Sequence, residues 1–119
     1  MAITVTNPNP GHFGFISNAV SADASGCEEI KAAPAAGTSI FIDHLTINNG
    51  AGAQSITIGA GETGGAVTTA LIGPIAMAAN TSLQFNFFRG GMRLAAATSL
   101  TVDSSGTTAL CIFVQGRIN

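Results

Sequence analysis

Apolar and polar residues change places one by one along several stretches of this chain, and that period of two most narrows its fold. Leu83-Gln84-Phe85-Asn86-Phe87 alternates without a break, Ser55-Ile56-Thr57-Ile58 does the same, and Ser99-Leu100-Thr101-Val102-Asp103 repeats it. Successive side chains of a strand point to opposite faces, so each run buries one face and wets the other. Ser39 to Ile47 is longer. Ile40, Phe41 and Ile42 are contiguous, Asp43-His44 interrupts, and Leu45 and Ile47 then flank Thr46. Such an interruption marks a bulge or a strand passing from one sheet to another. Leu110-Cys111-Ile112-Phe113-Val114 is apolar at every position, which predicts an interior strand covered on both faces. Left on an edge, it would be an aggregation site.

Glycine and asparagine clusters cut these runs at short intervals. Asn48-Asn49-Gly50-Ala51-Gly52, Arg89-Gly90-Gly91 and Asp103-Ser104-Ser105-Gly106 supply the positive-φ positions that tight connections need. Many short strands spaced this way predict an all-β sandwich or barrel. Ala66 to Ile72 is the sole helical candidate, and its Val-Thr-Thr content is poorly suited to a helix. Ala32-Ala33-Pro34-Ala35-Ala36-Gly37 is expected to be a loop, because Pro34 interrupts it and Gly37 closes it. Residues 1–26 differ in character from 27–119. Asn7-Pro8-Asn9-Pro10-Gly11 cannot form an ordinary ladder, whereas Phe13, Phe15 and Ile16 call for burial. That segment is either a first edge strand or an extended arm that lays its phenylalanines on a neighbouring subunit.

A chain of 119 residues is one domain's worth, long enough to bury a core without staples. Only 8% of its residues are charged and 46% are hydrophobic, against about 25% charged in an ordinary soluble domain. Four basic residues and a net charge of −2 speak against a nucleic-acid binder. So apolar a chain also does not stay disordered. With so few charges to hold a free monomer in solution, much of the surface is expected to be covered by other subunits.

The start, Met1 to Thr6, has neither the basic residues nor the long apolar run of a secretory signal. The charge-free stretch from Thr63 to Phe88 is broken by Gly, Asn and Pro74, which speaks against a membrane helix. Cytoplasmic synthesis is therefore expected, with Cys27 and Cys111 as free thiols and Asn80-Thr81-Ser82 as a turn.

Motifs that could carry chemistry are incomplete. Gly59-Ala60-Gly61-Glu62-Thr63-Gly64 fits a dinucleotide fingerprint, but no helix-forming segment follows and Leu83-Gln84-Phe85 stands where the ribose-binding acid belongs. A glycine-rich loop is the better reading. Asp43 and His44, like Glu28 and Glu29, are neighbours on a strand and so are expected to face opposite ways, unable to share a proton. The histidines and the cysteines stand too far apart for local metal ligation. Cys111, in an apolar run, lacks what activates a thiolate. Without Trp or Tyr the chain also lacks the usual platforms for sugar rings. No enzymatic function, cofactor or metal is expected. Phe88, which breaks the alternation beside Arg89, is a candidate subunit contact. Arg89, Arg93 and Arg117, grouped in the last third, are either scattered surface charges or a patch for an acidic partner.

From Ile30-Lys31-Ala32-Ala33-Pro34-Ala35-Ala36-Gly37-Thr38-Ser39-Ile40-Phe41-Ile42 onward, the chain resembles small virion proteins of tailed bacteriophages. The resemblance continues through the Asn/Gly turn, the strand Ser55 to Ile58, the Gly-Gly turn, the Leu100 strand and the ending Val114-Gln115-Gly116. It covers about residues 30–117. It implies an antiparallel β-sandwich of jelly-roll type, assembled as a trimer or other homo-oligomer on the outer surface of a capsid. The expected function is capsid decoration, a cement protein binding the major capsid protein across capsomer junctions. The alternative is a head or tail appendage that touches a host receptor or glycan. Neither nucleic acid nor membrane is an expected partner. On this reading the subunit or capsid interface draws on Phe13, Phe15, Phe87, Phe88, Arg89, Arg93, Ile112, Val114 and Arg117.

Overall fold

The computed structural model describes residues 4–6, 14–21, 27–87 and 90–119. Ten strands follow one another: β1 Thr4–Thr6, β2 Gly14–Ser21, β3 Glu28–Lys31, β4 Ile40–Asn49, β5 Gln54–Thr63, β6 Ala66–Met77, β7 Ser82–Asn86, β8 Met92–Arg93, β9 Leu100–Ser104 and β10 Leu110–Ile118. No helix occurs among the described residues. Ala66 to Ile72 is strand, as its β-branched content favours.

Two antiparallel sheets form a sandwich-like arrangement. The first has the order β1-β2-β10-β4-β7, with β8 also paired to β4, and the second has β3-β9-β5-β6. Residues 14–21 thus join the first sheet, with Gly14 opposite Arg117 and Ser21 opposite Leu110. Asn7 to Gly11 and Phe13 lie outside the described residues.

The inward positions of each run close one core. From β4 come Ile40, Ile42, Leu45 and Ile47; from β5, Ile56 and Ile58; from β9, Leu100 and Val102; and from β10, Leu110, Ile112 and Val114. Ile30 and Leu94 seal it from β3 and from the segment after β8. Each fully buried aliphatic side chain of this kind contributes roughly 1.5–3 kcal/mol. Leu83, Phe85 and Phe87 pack against this core while Ser82, Gln84 and Asn86 are exposed, so the alternation of β7 is real.

The interruption at Asp43-His44 is a bulge. Gln115 pairs with His44 and Gly116 with Ile42, so Asp43 has no opposite number on β10. Here β4 also changes its other neighbour, from β7 (His44 to Asn48) to β8 (Phe41 and Ile42). Of the fingerprint glycines, Gly59 and Gly61 lie within β5, and Gly64 stands in the turn that it forms with Gly65 into β6. Gly64 and Gly65 have positive φ, 61° and 82°, as a two-residue type I′ hairpin requires.

Candidate interaction face

The outward positions of the first sheet form a single surface whose rows follow from the strand register. Arg117, Phe41 and Arg93 make one row across β10, β4 and β8. Gln115, His44 and Asn86 make the next, and Phe113, Thr46 and Gln84 the one beyond. Cys111, Asn48 and Ser82 end the series, with Ser82 Oγ donating to Asn48 Oδ1 at 2.7 Å.

Phe113 stands near the middle of this surface, 38% exposed on a strand flanked by β2 and β4. It is the one large hydrophobic side chain exposed among the described residues. This corrects two expectations. The run Leu110 to Val114 is interior to its sheet, but its outer face is not covered among the described residues. Ile112 and Val114, expected at a subunit interface, are 1% and 0% exposed in the chain's own core. Phe113 is the side chain of this run that faces outward instead. A continuous apolar run hides that choice, because either set of alternating residues is able to face inward.

Arg117 organises one end of the face. Its guanidinium lies 4.7 Å from the centroid of the Phe41 ring, donates from Nη1 to Asp43 Oδ1 at 3.1 Å, and donates from Nη2 to the Gly90 carbonyl at 2.8 Å. The bulge turns both Asp43 and His44 away from the core, which corrects the expected opposite facing, but the Asp43 carboxylate is engaged by Arg117. Gly91, with φ 78°, is held against β4: a Cβ there would lie 2.7 Å from the Ile42 carbonyl oxygen and 2.9 Å from Asp43 Oδ1. Arg93 is exposed, with Nε 3.4 Å from Ser39 Oγ. Phe87 is half-buried, stacks on Phe85 with ring centroids 6.2 Å apart, and donates its backbone N–H to the Asp43 carbonyl. Of the remaining expected contacts, Phe15 pairs through its backbone with Gly116, while Phe88 and Arg89 lie outside the described residues.

Arg117→Ala should lower stability by about 1 kcal/mol, and Arg117→Lys should recover only part of this. A solvent-exposed ion pair contributes little, and an ammonium cannot both stack flat on Phe41 and fork between Asp43 and Gly90. Urea titration of the variants checks this.

At the opposite end, Asn48, Asn49, Gly50, Ala109, Leu110 and Cys111 line an open hollow of about 240 Å³. Beneath it, Asn49 and Gln54 knot three turns together. Asn49 Nδ2 donates to the carbonyls of Gly52, Met77 and Ala78, and its Oδ1 accepts from Gln54 Nε2 at 2.7 Å. Gln54 Nε2 also reaches the Thr108 carbonyl at 3.2 Å. No sequence motif marks this pair; asparagine beside glycine reads only as a turn.

Neither cysteine is in a disulfide, and the two stand in different settings. Cys27 is buried, and burial, followed by the nearby negative charge of Glu62, pushes its thiol above the ordinary value. Thr101 partly offsets this through a hydrogen bond. A thiol kept protonated by the fold stabilises it below the ordinary thiol range, and that contribution is lost as pH rises through the folded value. Cys111, half-exposed on the outer face, should react with Ellman's reagent in the native protein at pH 8, whereas Cys27 should react only after unfolding. Native titration of both thiols at equal rates would contradict that.

Among the described residues, no three His, Cys, Asp or Glu side chains gather as metal ligands, and no helix is long and apolar enough to cross a membrane. The face presents hydroxyls, amides, the rings of Phe41, His44 and Phe113, and the guanidinium groups of Arg93 and Arg117. Comparison with known protein families and with curated proteins finds no match.

Proposed function

We propose that this chain is a non-enzymatic structural protein of a tailed-bacteriophage virion, a jelly roll that decorates the capsid as a homo-oligomer. The observation that carries the reading is the strand order. β2, β10, β4 and β7 stand in one sheet and β3, β9, β5 and β6 in the other, so among these eight strands only β5 and β6 follow one another within a sheet. This order is the one expected of the double Greek key of a jelly roll, an architecture recurrent in capsid and lectin domains. The step from fold to role is one of analogy. What supports it on the molecule is an outer face with Phe113 exposed near its middle, and the engagement of Asp43 by Arg117 in place of any acid–base partnership.

In this role the first sheet lies on the shell. Phe113 is the apolar anchor, the amides around it satisfy polar groups of the major capsid protein, and Arg93 and Arg117 meet its acidic side chains. Contacts that are individually weak hold firmly because one oligomer makes several at once. Co-sedimentation with heads of the encoding phage tests this. The chain should pellet with the heads, and Phe113→Ser should weaken binding at least about tenfold. Equal binding of the variant, or no binding by the wild type, would overturn the reading.

A further inference from the structure

The second sheet ends in an edge that departs from the usual rules. Edge strands are normally kept short or charged, because their unpaired backbone groups template further pairing. β3, at the other end of that sheet, obeys: it has four residues, of which Glu28, Glu29 and Lys31 are charged. β8 has two residues and includes Arg93. β6 is different. At twelve residues it is the longest described strand, it carries no charge, and nothing among the described residues pairs with its outer side. Ala66, Thr68, Thr69 and Ala70 are exposed, and side chains this small leave the backbone open to close approach.

We propose that β6 is the surface through which two copies of this chain join, pairing antiparallel across a two-fold axis. The identity of the occupant follows from charge. In a two-fold contact every residue faces the same patch of its own copy, so any charge near the axis meets its like. No charged residue occurs from Thr63 to Phe88, and β6 is the long edge free of that penalty. Pro74 lacks a backbone donor, which confines the pairing to Ala66–Ile72, centred near Thr69. The join makes one eight-stranded sheet from two four-stranded ones. This deepens the proposed assembly role by naming the self-contact, and it leaves the face bearing Phe113 free.

Sedimentation equilibrium of the full chain tests it, with circular dichroism to verify folding. The wild type should have the mass of two copies or a multiple of two, and Thr69→Lys should halve it with the β spectrum unchanged. Phe113→Ser should keep the wild-type mass. Hydrogen exchange adds a measurement that needs no variant: amides of residues 66–72 should gain protection as concentration rises. A wild type of one or three copies, a Thr69→Lys protein of undiminished mass, concentration-independent exchange, or dissociation by Phe113→Ser would each overturn the inference. Head binding is read separately, so either proposal is able to fail alone.

Discussion

Ile112→Ala is expected to lower the unfolding free energy by about 3 kcal/mol, while Phe113→Ala beside it should cost less than about 1 kcal/mol. The two side chains are adjacent on β10 and both apolar, yet one is sealed in the core and the other stands 38% exposed. Truncating Ile112 removes buried methyl groups and leaves a cavity lined by the facing strands. Truncating Phe113 leaves no enclosed void. Urea titration of both variants, with comparable slopes, measures the difference. Equal losses would mean that the outer face of β10 is covered in solution, as a self-contact on this sheet would require.

The second large effect belongs to Asn49. Asn49→Ala should cost about 3 kcal/mol, because the carbonyls of Gly52, Met77 and Ala78 lose their donor and Gln54 Nε2 loses its shortest acceptor. Asn49 ties the turn after β4 to the turn before β7, and its Oδ1 holds Gln54 Nε2, which reaches the turn before β10. Asn48→Ala, one position earlier and exposed, gives up only its surface bond from Ser82 and should stay within about 0.5 kcal/mol. If the two variants unfold at the same urea concentration, the knot does not hold the turns together.

These two positions also mark how far the sequence could be followed. Strict alternation placed Ile56, Ile58, Leu100 and Val102 inward, but it did not foresee that Thr101, between the last two, is also buried, with its hydroxyl donating to the Gly61 carbonyl. The polar pair Asp43-His44 inside an apolar run signalled the bulge, since burying either would have cost more than losing a ladder pair. Residues 110–114 gave no such signal. With every position apolar, the inward set is decided by register against β4, where Val114 meets Leu45 and Ile112 meets Ile47. Long-range partners were equally out of reach. Arg117 and Asp43 lie on different strands, and their meeting depends on the bulge, on Gly91 and on the Phe41 ring between Arg117 and Arg93. Composition pointed to covered surface but not to its place. The place proposed for it rests on the sheet order, which puts the uncharged β6 at one edge and β3, with Glu28, Glu29 and Lys31, at the other.

The most direct measurement of the proposed role is electron cryo-microscopy of phage heads prepared with and without this chain. The account predicts added density at junctions between capsid subunits. It should fit the two-sheet fold, with the β10–β4 face turned toward the shell and β6 facing a second copy. Heads whose maps are identical in the two preparations, or density that meets the shell through the β3 side, would contradict it.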